Sequence, residues 1–286
     1  MTFDLENEFS KLKLQTVLKD KIEEASQEMF DDGHRNHLGA SLIGHECRRY
    51  LWYTFRWIKN IKHSGRLYRL FNRGHREEEA IIKQLKAIGC EVKEFDENGK
   101  QFRVSACSGH FGGSMDGIVK LPPEFGIEQE MLLEMKTINQ NGHTKLIKHG
   151  VESEKPVHFG QTSVYGLLNN FEYCLYVSVN KNDDDIYLEI FKLDKRLGRD
   201  LIDKAEGIIN SQTPPSKCSK DPTFFICKFC NFNTVCHEGE EGDVNCRSCK
   251  FAEPCDGAVW QCTKFGEIIP KEEIAKKQDC WESILK

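Results

Sequence analysis

The amino-acid sequence predicts an α/β protein: a mixed central sheet flanked by helices, followed by a cysteine-rich, metal-binding C-terminal tail. Three observations predict it. Helical apolar periodicity fills residues 5–88, short alternating segments broken by Gly, Pro and Asn follow, and nine of the 13 cysteines lie from Cys218 to Cys280. We divide the 286 residues into an N-terminal helical segment (1–40), a main domain (41–237) and the tail (238–286).

The elements of the main domain follow from local patterns. Helices are predicted over residues 5–30, 41–58 (with Ser41 as N-cap), 66–88, 155–170 and 194–210. Strands are predicted over residues 90–95, 101–107, 112–121, 130–137, 173–180 and 186–193. Beyond Pro214-Pro215 the periodicity is lost, so we expect this segment to bury little core and to be held by metal.

Composition excludes several classes of protein. Hydrophobic residues make up 39% of the chain and the formal net charge is −5, which is too apolar a balance for a disordered chain. No apolar run approaches the roughly 20 residues of a membrane span, and the polar N-terminus has no signal-peptide core. We therefore expect a cytoplasmic protein. In that reducing compartment, clustered cysteines indicate metal binding rather than disulfides.

Charge is concentrated in one stretch of this acidic chain. Residues 45–76 hold nine Lys and Arg residues against one acid, Glu46. Such a basic face predicts a polyanionic partner, although a merely solvated helix face would give the same count. The candidate contacts are Arg48, Arg49 and Arg73, whose guanidinium groups would neutralise phosphates.

A carboxylate–lysine pattern is the main chemical signal. Asp116 lies in the segment GGSMDGIVKL, and Glu134 and Lys136 follow in LLEMK. Alternate residues of a strand share one face, so Glu134 and Lys136 would project together, and Asp116 would join them from a hairpin neighbour. Paired carboxylates bind Mg²⁺ or Mn²⁺, and the lysine would orient or deprotonate a water for phosphodiester hydrolysis. A surface Glu-x-Lys pair is the alternative.

This pattern resembles the PD-(D/E)XK nuclease superfamily, and two further segments resemble its RecB-like branch. The segment FNRGHREEEAI (71–81) is similar to a helical motif of that branch, which places a His or Glu metal ligand about one turn beyond a glycine. The resemblance implies Glu78 as that ligand, with His75 as a competitor. Gln161 and Tyr165 match a Gln-x-x-x-Tyr motif that would hold the active site or contact the DNA backbone.

One cysteine set extends the resemblance to iron–sulfur nucleases of the CRISPR-associated, AddB and phage exonuclease type. Cys47 precedes the nuclease-like segments, and a Cys-x2-Cys-x5-Cys set follows them at Cys227, Cys230 and Cys236. The resemblance implies a [4Fe–4S] cluster that clamps the C-terminal part to the N-terminal helix. Zinc held by the three later cysteines and His237 is the rival interpretation.

A second cysteine set lies in the tail. Cys246-x2-Cys249 has the spacing of a metal knuckle, and we expect Cys262 and Cys280 to complete a zinc site, with Cys255 as a spare. Four cysteines remain that we interpret as structural: Cys90, Cys107, Cys174 and Cys218.

The resemblance implies a metal-dependent deoxyribonuclease, in particular an exonuclease acting on DNA ends or single strands in recombination, repair or phage DNA processing. A non-catalytic iron–sulfur nucleic-acid-binding module on the restriction-endonuclease-like core is the alternative. A redox iron–sulfur protein is a third, but the sequence has no flavin or dinucleotide fingerprint. The expected partners are DNA and a recombinase, annealing protein or helicase. The expected location is the cytoplasm, or the host cytoplasm for a phage-encoded enzyme.

Overall fold

The computed structural model describes residues 4–31 and 33–286, and it confirms a mixed α/β architecture with flanking helices. The helices are α1 (Glu8–Phe30), α2 (Arg48–Phe55), α3 (Gly65–Ala87), α4 (Gln140–Glu154), α5 (Pro156–Asn169), α6 (Lys195–Ile209) and α7 (Phe225–Lys228). The strands are β1 (Leu38–Gly39), β2 (Glu91–Lys93), β3 (Arg103–Ala106), β4 (Phe111–Ser114), β5 (Gly117–Lys120), β6 (Met131–Ile138), β7 (Tyr173–Asn180), β8 (Ile186–Lys192), β9 (Ala252–Cys255), β10 (Val259–Cys262) and β11 (Glu267–Ile269).

The central sheet has the strand order β2-β5-β6-β7-β8. Strands β6 and β7 run parallel, whereas the other neighbours pair antiparallel. Helices α4 and α5 form the crossover that a parallel pair requires. One face buries Leu133 and Met135 against Ile82 of α3, while Leu132 and Tyr176 belong to the larger core on the other face.

Two predicted elements differ from the structure, and one observed helix was not predicted. The helix predicted from Ser41 begins only at Arg48, because residues 40–44 form turns in which Gly44 packs tightly against Val157. The strand predicted over residues 112–121 is two strands, β4 and β5, which belong to different sheets. Helix α4 was not predicted, because its polar sequence carries no clear apolar stripe; its first turn is capped by the Asn139 side chain.

Strand β4 forms a second sheet with β1 and β3, in the order β1-β4-β3. The bend at Met115 and Asp116 therefore lies where the chain passes from this small sheet into the central one. This transition places Asp116 immediately before the first residue of β5, next to β6.

The expectation that the tail buries little core is wrong. Strands β9, β10 and β11 form a three-stranded antiparallel sheet, and Trp260, Ile274 and Ile284 belong to the same hydrophobic core as α2 and α5. The boundary at residue 238 therefore does not separate two hydrophobic cores. Apolar residues spaced irregularly along turns and short strands supply this burial, so they leave no periodic signal.

Two buried arginines connect the tail to α2. The Arg247 guanidinium lies 4.6 Å from the Phe55 ring, 4.3 Å from Trp57 and 4.6 Å from Trp260. Arg56 donates to the Ala252 carbonyl oxygen at 2.7 Å. Cation–π contacts and hydrogen bonds of this kind offset the cost of burying the two charges.

Among the described residues, no helix combines the length and the apolar character needed to cross a bilayer.

Candidate active site and cysteine sites

Asp116, Glu134 and Lys136 meet at one point of the central sheet. Glu134 and Lys136 lie on the same side of β6 and form an ion pair through Lys136 Nζ and Glu134 Oε1. Lys136 Nζ also lies 3.7 Å from Asp116 Oδ2, and that oxygen accepts the Met135 backbone N–H at 2.7 Å. The alternation of side chains along β6 thus places the Glu134 carboxylate beside the Lys136 ammonium group. The pairing of β5 with β6 adds the Asp116 carboxylate.

Glu134 is completely buried, and this burial sets its electrostatics. Among the described residues, its Oε2 atom has no hydrogen-bond partner. Burial raises the pKa of Glu134 to about 7, although Lys136 opposes that shift. Burial alone would lower the pKa of Lys136, but Glu134 and Asp116 together raise it above its ordinary value. Lys136 therefore stays protonated at neutral pH.

The structure separates the two candidate ligands of the upstream helix. The Glu78 side chain is 30% exposed, and its pKa is raised first by burial and then by the Asp116 charge. His75 is 74% exposed, and its Nδ1 atom lies 3.7 Å from Glu78 Oε2. Glu78 thus lies at the carboxylate cluster, whereas His75 lies on its solvent side.

Gln161 and Tyr165 lie on one face of α5 and are buried beneath the cluster. Gln161 Nε2 donates to Tyr165 Oη at 3.2 Å, and the two side chains are 5% and 1% exposed. Burial and the nearby Glu134 charge raise the pKa of Tyr165. In this arrangement the pair supports the site from below, and neither side chain is exposed for contact with a DNA backbone.

A second polar pair near Lys136 was missed by sequence reasoning. His158 Nδ1 lies 2.8 Å from Tyr176 Oη, and Tyr176 is the register partner of Glu134 across the parallel β6–β7 pair. Burial and the Lys136 charge lower the pKa of His158 to about 3, so its imidazole is neutral. The available signal was spacing, since His158 precedes Gln161 by three residues and shares its helix face.

The cluster opens into a cleft of about 640 Å³ between α1, α3 and β6. Glu78 and Lys136 line it together with basic and aromatic side chains, namely Arg35, His63, Tyr68, Phe71, His75 and Lys181. A cleft with these side chains has the charge and stacking surfaces that a nucleic-acid strand would use.

The three arginines proposed to bind DNA occupy different environments. Arg48 is exposed at the start of α2. Arg49 donates to the Pro215 carbonyl oxygen at 2.5 Å and approaches Cys236 Sγ at 4.0 Å, so it belongs to the cysteine site. Arg73 pairs with Asp184 at 3.3 Å and is one-third exposed.

The aromatic residues in α2 and just after it do not form a stacking surface for bases. Trp52, Tyr53, Phe55 and Trp57 are all at least 95% buried in the core. The pattern of Arg49, Tyr53 and Trp57 at four-residue intervals, which would suit base stacking, therefore reflects packing.

The first cysteine set surrounds one small apolar cavity. Its wall includes the four predicted cysteines and a fifth, namely Cys47, Cys227, Cys230, Cys236 and Cys218. Cys230 Sγ accepts the Phe232 backbone N–H at 3.4 Å, and the Cys218 and Cys227 sulfurs are 3.7 Å apart. Cys218, which we interpreted only as structural, lies beside this set because the loop after Pro215 turns back toward α2. His237 also lines the cavity, so the zinc alternative shares the same place.

The cysteines of the second set also lie near one another in the tail, and Cys262 and Cys255 have different surroundings there. Burial raises the pKa of Cys246 to about 11, and the Cys249, Cys280 and Cys262 thiols contribute to that shift. Cys255 instead faces Gln261 Oε1, at 3.7 Å. In the described ranges, however, no three His, Cys, Asp or Glu side chains are gathered in an arrangement that would hold a metal ion as they stand. The thiols and carboxylates are neighbours that would have to turn toward a common centre.

No protein-family model matches the chain, and no curated protein matches it. Among solved structures, those similar to it include exonucleases. An alkaline exonuclease from Laribacter hongkongensis, LHK-Exo, has a TM-score of 0.43 and 17% identity, covering 66% of this chain and 90% of that one. LHK-Exo in complex with dAMP has a TM-score of 0.44 and 18% identity over 60% of this chain and 86% of that one. The structure of SSO0001 has a TM-score of 0.42 and 16% identity over 78% and 97%. At these scores the similarity assigns neither a family nor an activity to this chain.

Proposed function

We propose that this protein is a divalent-metal-dependent deoxyribonuclease, and specifically an exonuclease that hydrolyses DNA from ends or on single strands. The observation that carries the proposal is the convergence of Asp116, Glu134 and Lys136, of which Lys136 lines a cleft with basic and aromatic walls. Two carboxylates and a lysine at one point are the donor set of metal-assisted phosphodiester hydrolysis.

The side chains present fit a Mg²⁺ or Mn²⁺ ion. Glu78, Asp116 and Glu134 would hold it, since all three offer hard oxygen donors and Glu134 Oε2 has no other hydrogen-bond partner in the described part of the chain. Once bound, the ion supplies Lewis-acid stabilisation of the charge that develops on the phosphate oxygens.

The protein's own groups perform the remaining steps. Protonated Lys136 would donate a hydrogen bond to the attacking water and offset negative charge in the transition state, because its raised pKa makes it a poor general base. Gln161 and Tyr165 would hold the floor of the site in position from beneath. Arg48 and Arg73 would neutralise phosphates of the bound strand.

We also propose that Cys47, Cys227, Cys230 and Cys236 hold a [4Fe–4S] cluster with a structural role. Their common cavity, the Phe232 N–H directed at Cys230 Sγ and the approach of Arg49 to Cys236 Sγ support this assignment. Such a cluster would join α2 to the loop around α7. Zinc held with His237 is the alternative that metal analysis decides.

The cellular setting consistent with this activity is DNA recombination, repair or phage DNA processing in the cytoplasm of the producing or host cell. A recombinase, annealing protein or helicase would supply the DNA substrate as a partner. These assignments follow from the proposed activity, so they depend on the test of that activity.

The test begins with anaerobic purification and measurement of iron, sulfide and zinc. The protein is then incubated with end-labelled single-stranded, double-stranded and closed circular DNA, with Mg²⁺, Mn²⁺ or EDTA. We expect metal-dependent loss of linear DNA that spares closed circles, and the first label lost would give the polarity. Cleavage of closed circles would instead indicate an endonuclease.

The variants Asp116→Asn and Lys136→Met should lose cleavage by at least about a hundredfold while still binding DNA. Exposed Asp200→Asn and Lys192→Met are the matched controls and should cleave normally. Cleavage retained in both site variants would contradict the assignment. DNA binding without any cleavage by the native, iron-replete protein would favour the non-catalytic binding module.

A further inference from the structure

The tail contains a preformed turn between Cys246 and Cys249. The Cys249 backbone N–H donates to the Cys246 carbonyl oxygen at 3.0 Å, and the Asn245 side chain accepts the Ser248 backbone N–H at 3.0 Å. Ser248 returns a hydrogen bond from its hydroxyl to the Asp243 carbonyl oxygen at 2.6 Å. The two cysteines are thus held one turn apart by backbone geometry, as in a metal knuckle.

Strand register brings Cys262 to this turn. Cys262 on β10 is the partner of Ala252 on β9, which begins three residues after Cys249. The Gly266 backbone N–H donates to the Cys262 carbonyl oxygen at 2.8 Å, so a tight turn follows Cys262 as well. Cys262 therefore lies in the sheet of β9, β10 and β11, at the end nearest to the Cys246–Cys249 turn.

The segment around Cys280 lies alongside the same turn. Trp281 Nε1 donates to Ser248 Oγ at 3.0 Å, and the Ile284 backbone N–H donates to the Ser248 carbonyl oxygen at 3.0 Å. These bonds fix the backbone next to Cys280 against the residue between the two knuckle cysteines. Three separate segments of the tail thus place the backbones that carry these four cysteines next to one another, and the thiols would have to turn toward a common centre.

Cys255 does not take part, although it lies only seven residues before Cys262. It pairs across the sheet with Val259, and its sulfur faces Gln261 Oε1 and the Glu253 carbonyl oxygen. The tail therefore carries four thiols on neighbouring backbone segments and one, that of Cys255, which is directed elsewhere.

We propose that Cys246, Cys249, Cys262 and Cys280 bind one structural Zn²⁺, which ties the three segments of the tail together. Four thiolates suit tetrahedral zinc, and a modest rotation of side chains on a backbone already held in place would complete the coordination. Arg247 lies between the two knuckle cysteines and inserts between Phe55, Trp57 and Trp260, so the zinc site would also hold this arginine against α2.

The test uses the full chain and metal analysis, and it does not depend on nuclease activity. Native protein purified without added metal should carry about one zinc per chain in addition to any iron. Cys262→Ser should lose that zinc, whereas the matched control Cys255→Ser should keep it, and both should keep the same iron content. Replacing zinc with Co²⁺ should give the intense thiolate charge-transfer absorption of a four-sulfur site in native protein and in Cys255→Ser.

A third variant keeps the test decisive if Cys262→Ser does not fold. Cys280→His retains a zinc ligand, so it should still bind zinc, and its Co²⁺ spectrum should shift because one sulfur is replaced by nitrogen. Native protein without zinc, iron rather than zinc at this site, an unchanged Co²⁺ spectrum in Cys280→His, or zinc loss in Cys255→Ser would overturn the proposal.

Discussion

Asp116 Oδ2 accepts the backbone N–H of Met135 at 2.7 Å, so the carboxylate of one strand end is anchored to the backbone of the neighbouring strand. Met135 lies between Glu134 and Lys136, whose side chains point to the opposite face of β6. This hydrogen bond therefore holds the Asp116 carboxylate beside the Glu134 and Lys136 side chains, and neither of those side chains takes part in it. It also fixes the distance of 3.7 Å from Asp116 Oδ2 to Lys136 Nζ.

The two candidate ligands on α3 should behave differently when they are replaced. Glu78→Gln should raise the Mn²⁺ concentration needed for half-maximal cleavage by at least about tenfold, because it removes an oxygen donor at the carboxylate cluster. His75→Gln is the control and should change that concentration little, since His75 is mostly exposed. Titration of the cleavage rate with Mn²⁺ measures both, and an equal effect of the two variants would contradict the assignment of Glu78.

The raised pKa of Glu134 predicts how stability depends on pH in EDTA. Folded Glu134 has a pKa of about 7 against an ordinary value of 4.5, so the folded state binds more protons than the unfolded state between these values. The free energy of unfolding should therefore fall as pH rises through this window, and added Mg²⁺ should reduce the fall by favouring the carboxylate. Thermal unfolding at several pH values measures this pH dependence of stability. Glu134→Gln should flatten the slope; an unchanged slope would contradict the role of Glu134.

Tyr165→Phe should rescue the loss of stability that Gly113→Ala causes. A Cβ atom added at Gly113 would lie 2.3 Å from Tyr165 Oη but 3.2 Å from the ring carbon Cζ. Gly113→Ala should therefore destabilise the fold by about 1–3 kcal/mol and reduce cleavage, since it displaces Tyr165. Removing the hydroxyl with Tyr165→Phe should relieve most of this penalty, as urea unfolding of the double variant would show. Additive losses would mean that the two residues do not interact.

Serine variants of the first cysteine set should distinguish the iron ligands from the neighbouring Cys218 thiol. Cys227→Ser should abolish iron binding, because it removes one sulfur of the Cys-x2-Cys-x5-Cys set. Cys218→Ser should retain the iron content of the native protein, although its sulfur lies 3.7 Å from that of Cys227, because Cys218 is exposed and lies outside that spacing. If Cys218→Ser loses its iron and Cys47→Ser keeps it, Cys218 rather than Cys47 is the fourth iron ligand.

Much of the architecture followed from local patterns. The parity of β6 places Glu134 and Lys136 on one face, and the hairpin-like antiparallel pairing of β5 with β6 brings Asp116 next to them, as the spacing predicted. The helix α4 and the folded core of the tail were not predicted. The sequence of α4 is too polar to show an apolar stripe, and the buried apolar residues of the tail are irregularly spaced, so neither segment carries a clear periodicity.

The sequence by itself determined which side chains share a strand face, which cysteines have knuckle spacing and where most helices and strands lie, because these properties depend on the backbone geometry of a few consecutive residues. Only the tertiary structure decided that Glu78 rather than His75 lies at the carboxylates, that Cys218 joins the first cysteine cavity and that Cys255 faces away from the second. It also buried Arg247 among the aromatic rings of Phe55 and Trp57, at the end of α2 and just beyond it. Each of these outcomes joins segments far apart in the chain, and their proximity depends on how the whole core packs.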